Sequence, residues 1–247
     1  ETPQGVLCQA KVGDLKPTQN AVGFDEVNDK IARYSAKSKA DLKDYLLVHP
    51  VPVVIGNGGN FYVTDHHHLT NALWKTAEGE NKAGIDTKSA RVVVMVQSNR
   101  AGLKGYHFWK AMQEKRLVYL FDNYGGGPIR PKDLCQHMKD LANDPYRSLA
   151  WEVRTRYGYG KSPHAFAEFL WANFFRIRIV IDNWVLKDKI RGSDILISNL
   201  PVDHKKDIID EAMPVSILLP PKWKLVARDA FNGAELWRRS IGTWHPH

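Results

Sequence analysis

The sequence predicts an α+β fold, and two observations carry that prediction. The stretch from Val53 to Leu73, VVIGNGGNFYVTDHHHLTNAL, reads as strand, tight turn, strand and the start of a helix. Around it, short strand and helix patterns alternate through the first hundred residues. Beyond them, a glycine-rich loop and longer apolar helical segments take over. A boundary near residue 100 follows: an α/β domain over residues 1–100, and a mostly helical extension over residues 101–247 that packs on it.

The elements can be justified in order. Residues 6–17 read as a short strand closed by Pro17. In GFDEVNDKIARY, residues 23–34, Val27, Ile31 and Tyr34 have helical spacing. Ser38 and Asp41 form a capping-box-like start for a second helix, Asp41–Val48, which Pro50 ends. Val53–Ile55 and Phe61–Val63 are β-formers, joined by Asn57-Gly58-Gly59-Asn60, residues that tolerate positive φ. Asp65 suits the N-cap of a helix from about His67 to Thr76. Residues 78–89 are polar and read as a loop, Arg91–Val96 as a buried strand, and Tyr106–Lys115 as a helix with Trp109 and Met112 in the core.

In the second half, Asp122–Pro131 is a glycine-rich loop, and Pro131 suits the first turn of a helix running to Leu141. Pro145–Tyr157 reads as another helix. Ser162 is placed as N-cap of the apolar helix HAFAEFLWANFF. Residues 175–181 alternate and can continue that helix or form a strand. Residues 203–212 read as helix, stopped by Pro214.

Composition bounds the function. The 247 residues suit one large domain or two small ones, and the net charge of +8 favours anionic partners. No run approaches the roughly 18 apolar residues of a membrane span. Cys8 and Cys135 are too few for a C-x-x-C metal knuckle; they form one disulfide or stay two thiols. The chain begins Glu1-Thr2-Pro3-Gln4, which reads as a mature exported form or a trimmed piece. Export is the favoured reading, with a periplasmic or secreted location and a Cys8–Cys135 bridge; the alternative is cytoplasmic.

The chemistry-bearing residues centre on Asp65, His66, His67 and His68. A helix start favours anions through free N–H groups and the dipole. Here it is joined by a carboxylate and three imidazoles. At least one imidazole is expected to act as general acid/base or phosphate ligand, with Asp65 orienting it. A divalent metal is also conceivable, although three consecutive side chains point in different directions and cannot all bind one ion. His164 and Glu168, four apart, can hold a metal or form an ion pair. Gly125-Gly126-Gly127 reads as a phosphate cradle or a plain turn. Gly160-Lys161-Ser162 is not a P-loop, because Thr155 replaces the required glycine. Arg176 and Arg178 converge as an anion patch only if their segment is a strand.

The order Leu15-x-Pro17-x-Gln19, two helices, His49-Pro50-Val-Pro52-Val-Val, hairpin and an Asp/His cluster opening a helix resembles the ParB N-terminal domain and sulfiredoxin superfamily, in particular its ParB-like nuclease branch. The resemblance covers roughly residues 6–97. It implies a ParB/sulfiredoxin-like domain that binds nucleotide or phosphate at the loop entering the helix, with Gln19, His49 and Asn57 as ligand-binding positions; Arg176 and Arg178, outside the resemblance, are the further ligand-binding candidates. Related kinases carry Asp-Gly-His-His-Arg in that loop. Aligned on Asp65, this chain has His66 for the glycine and Leu69 for the arginine, and His67, which aligns with the first histidine, is the first choice for the residue that exchanges a proton at the phosphate. Losing arginine's planar phosphate-matching fork points away from ATP or CTP use. Gln19 stands where the kinases place a catalytic glutamate, and an amide is no general base. The expectation is a phosphoryl-processing hydrolase, a ParB-like nuclease or phosphodiesterase. The alternative is a non-catalytic module binding an anionic small molecule or nucleic acid.

Overall fold

The structure is a computed structural model that describes residues 3–162, 165–177, 224–228 and 235–240. By its contacts the chain divides into two compact units, Glu1–Asp144 and Pro145–His247. The division therefore falls about forty residues later than the change of pattern near residue 100, and residues 101–144 belong with the first unit.

In chain order the first unit comprises β1 (Leu7–Lys11), β2 (Lys16–Pro17), β3 (Ala21–Val22), α1 (Phe24–Ser35), α2 (Lys39–Leu47), β4 (Val51–Ile55), β5 (Phe61–Val63), α3 (His67–Glu78), β6 (Arg91–Asn99), α4 (Gly105–Glu114) and β7 (Ala142–Asn143). Five strands form a mixed sheet in the order β1-β6-β4-β5-β2. β4 and β5 pair antiparallel, with Val53 opposite Val63 and Ile55 opposite Phe61, as the hairpin reading requires. Gly58 and Gly59 take the positive φ values of the turn, 72° and 77°. β4 runs parallel to β6, so it is covered on both sides, and all five of its residues are buried. That suits the uninterrupted apolar run VPVVI.

Helices α1 and α3 lie against each other, and Val27, Tyr34, Leu69, Ala72 and Leu73 share the main core with Val53, Val63, Val94 and Val96. Ser38 caps α2 by accepting the Asp41 N–H at 3.2 Å. The expected helix from Pro131 to Leu141 does not form. Only single 3-10 turns occur, at Pro131–Asp133 and Met138–Asp140. Leu134, Met138 and Leu141 are buried at helical spacing. However, the main chain there bonds across the fold instead: Asn20 accepts the Cys135 N–H through Oδ1 and donates to the Asp133 carbonyl, and Ala142 N–H donates to the Asn20 carbonyl. Cys8 and Cys135 are free thiols, so the expected bridge is absent. Burial raises the Cys135 thiol pKa, and its sulfur lies 3.3 Å from the Asp140 carbonyl.

The described part of the second unit holds α5 (Pro145–Thr155), α6 (Ala167–Arg176) and an antiparallel pair, β8 (Lys224–Arg228) with β9 (Glu235–Ser240). α6 begins after Phe166 rather than at Ser162, and it stays helical through Arg176. The helix read at 203–212 lies outside the described residues. Among the described residues, no helix is long and apolar enough to cross a membrane.

Candidate functional site

The site grows from the junction between β5 and α3. After Val63 the chain is held by Thr64, whose hydroxyl donates to the Gln97 Oε1 at 2.6 Å. Asp65 is exposed, and its Oδ1 accepts the His66 N–H at 2.6 Å. It is His66, not Asp65, that occupies the N-cap position, with φ 67° and ψ 26°. That is the left-handed region, disfavoured for a residue carrying Cβ. It falls where the related kinase loop has glycine. The first helical bond runs from Thr70 N–H to the His66 carbonyl at 3.0 Å. The N–H groups of His67, His68 and Leu69 therefore have no acceptor within the helix and face its open end.

The three imidazoles have different fates. His67 is 3% exposed. Its Nε2 accepts the Thr18 N–H at 3.2 Å, and its ring also bonds the Val63 carbonyl, which leaves Nδ1–H as the donor. Burial pushes its pKa down to about 3; the Asp65 carboxylate and the Val63 carbonyl oppose this and His66 adds to it. His68 is also buried; its Nε2 accepts the Gly23 N–H at 3.0 Å and lies 3.5 Å from Glu26 Oε2. These two rings thus clamp the segment from Thr18 to Gly23 onto the first turn of α3. Thr18 completes the clamp by donating its hydroxyl to the Val63 carbonyl at 2.7 Å. His66 is the half-buried ring of the three, next to the exposed Asp65, and its Nδ1 atom is itself buried.

The other candidate positions scatter. Gln19 sits within this clamped segment, buried, its amide donating to the Ala21 carbonyl at 2.6 Å. His49 closes α2; its Nδ1 is 2.7 Å from the Tyr45 carbonyl and its ring stacks on Tyr45 at 4.2 Å. Asn57 is exposed in the hairpin turn, at the opposite end of β5 from Asp65. Arg176 lies in the second unit as the last residue of α6, with its guanidinium 4.6 Å from the centre of the Tyr146 ring. Arg178 and His164 lie outside the described residues. Glu168, the partner proposed for His164, is ion-paired with the buried Arg147 and, at 2.7 Å, with Arg154 Nε. Among the described residues, no group of three or more His, Cys, Asp or Glu is placed to hold a metal.

The glycine-rich loop proves to be a plain turn. Asp122 Oδ1 accepts the N–H groups of Tyr124 at 2.9 Å and Gly126 at 2.7 Å, and Gly125 N–H donates to the Asp122 carbonyl. A resident carboxylate takes the donors a phosphate would need. Thr18 and Gly23, by contrast, are site residues that no local pattern marks. The only hint of Thr18 is its place between Pro17 and Gln19 in the quoted motif.

A mixed sheet whose hairpin delivers an Asp-His loop to the start of a core helix defines a ParB/sulfiredoxin-like α+β protein. The chain belongs to the family described as "Putative ParB-like nuclease", whose profile matches residues 8–177. It is also similar to a solved structure, the crystal structure of protein Atu1540 from Agrobacterium tumefaciens. The identity is 31% and the TM-score 0.66, over 86% of this chain and 91% of that one. No curated protein matches the sequence. The matched span includes all of α5 and α6, so these two helices belong to the family's own pattern.

Proposed function

We propose that this protein is a phosphoryl-processing hydrolase, a nuclease or other phosphodiesterase, working at Asp65 and His66 where β5 hands over to α3. The observation that supports this best is His66 itself. A non-glycine residue held in the left-handed region costs about 1–3 kcal/mol, and such residues cluster at functional sites. This one sits beside an exposed carboxylate, at the positive end of a twelve-residue helix.

The chemistry follows from that placement. A phosphodiester at the helix start meets the N–H groups of His67, His68 and Leu69, which take the place of the arginine clamp that Leu69 replaces. Water attacks phosphorus, the P–O bond to the leaving alcohol breaks, and the His66 imidazole exchanges the proton. Asp65 fixes the turn through the His66 N–H. His67 and His68 are positioning residues, with their Nε2 atoms committed to main-chain N–H groups. Gln19 lines the clamped segment next to them.

That same commitment supports a second reading. With two of three imidazoles occupied, one ring and a helix start suffice to bind an anionic small molecule or nucleic acid without cleaving anything. The test is a hydrolysis panel on single- and double-stranded DNA, RNA and bis(p-nitrophenyl) phosphate, with and without divalent metal. His66→Ala should lose about 10²–10⁴-fold in rate while melting like wild type, and Asp65→Ala, which removes the acceptor of the His66 N–H, should lower the rate as well. If no ester is cleaved, yet an anionic ligand raises the melting temperature of wild type and not of His66→Ala, the binding reading replaces the catalytic one.

A further inference from the structure

We propose that α4 and the turn before it form a surface that holds a single strand of nucleic acid. The proposal rests on the phosphodiester reading above and names where such a substrate is gripped. Its first support is charge. Between Arg100 and Arg116 stand five Lys or Arg and one carboxylate, Glu114. The rest of residues 1–144 carries fourteen Lys or Arg against fifteen Asp or Glu. The excess positive charge of the first unit is therefore concentrated in this one segment.

The second support is geometry. Lys104, Tyr106, His107, Lys110, Lys115 and Arg116 are all exposed. Tyr106, at 72% exposure, contributes almost nothing to packing. Its ring has Lys110 Nζ 6.0 Å from the centroid, one helical turn on, and the His107 ring edge-on at 5.7 Å. Arg100, at the turn leading in, has a buried Nε with no hydrogen-bond partner. The opposite side of α4 is anchored. Phe108 and Met112 are buried, and Tyr62 packs on Phe108 at 4.8 Å and edge-on to Trp109 at 5.4 Å. This packing leaves the basic, aromatic face of α4 turned to solvent.

An exposed ring flanked by cations is what unpaired bases and their backbone require: the ring stacks a base and the cations follow the phosphates. A duplex hides its base faces, and an acidic peptide has no use for the ring. A lipid surface would call for several apolar side chains on this face, where Tyr106 stands alone among exposed large hydrophobics of α4.

The test is fluorescence anisotropy of the full chain with a labelled oligothymidylate, its duplex with oligoadenylate, and heparin as competitor. Tyr106→Ala should weaken single-strand binding about 5- to 100-fold, while Tyr106→Phe keeps it. Lys104→Glu with Lys110→Glu should weaken it about tenfold or more and flatten its salt dependence. Lys43→Glu, an exposed lysine on α2, serves as the charge control and should leave affinity nearly unchanged. Tighter binding of duplex, a Tyr106→Ala affinity equal to wild type, or an equal loss with Lys43→Glu would overturn the proposal. Failure of the hydrolase reading shows separately, as no cleavage of bis(p-nitrophenyl) phosphate by wild type.

Discussion

The start of α3 and the loop from Asp122 to Gly127 make an instructive pair. Both look suited to an anion in the sequence, one through a histidine run at a helix start and the other through three glycines. They differ in where their N–H groups go. In the glycine loop, Asp122 has already taken the donors of Tyr124 and Gly126. At α3, Asp65 takes the N–H of His66, and the first bond within the helix is that of Thr70 N–H to the His66 carbonyl. Glycine content therefore says little about anion binding until each backbone donor is followed to its acceptor.

The largest effect that can test this contrast is acid destabilisation. His67 is buried neutral, with its folded pKa near 3 against an ordinary value of 6.5. Between those values the unfolded chain binds more protons, so stability is full above about pH 6.5 and falls as pH falls. This one group should remove about 2 kcal/mol by pH 5 and about 3 kcal/mol by pH 4. Denaturant melts across that range check it. His67→Asn should be less stable at neutral pH and show a flatter acid limb. A wild-type acid limb unchanged by His67→Asn would mean that the ring is not the buried clamp described above.

Next in size is the contrast between the two carboxylates. Asp122→Ala should cost about 1 kcal/mol by orphaning two loop donors, which water partly satisfies, and should leave hydrolysis intact. Asp65→Ala should do the reverse, changing rate far more than stability. Equal behaviour of the two variants would erase the distinction between them.

Much of the first unit was legible because its signals are local. The hairpin follows from two β-rich triplets around Asn-Gly-Gly-Asn, α2 from Ser38 and Asp41, and α1 from Val27, Ile31 and Tyr34. The candidate site is proposed from the four-residue cluster Asp65–His68, which the sequence displays without any structure. Its internal division of labour was not legible there. His67 is decided by Thr18, 49 residues away, and His68 by Gly23, 45 residues away. Residues 131–141 misled for a related reason. Leu134, Met138 and Leu141 have helical spacing, but Asn20 claims the main chain between them. The late division at Asp144 arises from the same contacts, because β7 pairs with β3 and Phe24 N–H bonds Asn143 Oδ1.

The smallest stability effect gives the most direct test of the central claim, that the exposed Asp65 and the half-buried His66 carry the chemistry while His67 and His68 hold the frame. His66→Gly restores the residue best suited to φ 67° and removes the imidazole in one step. It should gain about 1 kcal/mol of stability from the relieved left-handed conformation. It should also lose phosphodiester hydrolysis by about 10²-fold or more. Melting temperature and hydrolysis rate, measured on the same preparation, decide the matter. A more stable, inactive protein is the predicted result. A His66→Gly variant that cleaves as fast as wild type would contradict the account.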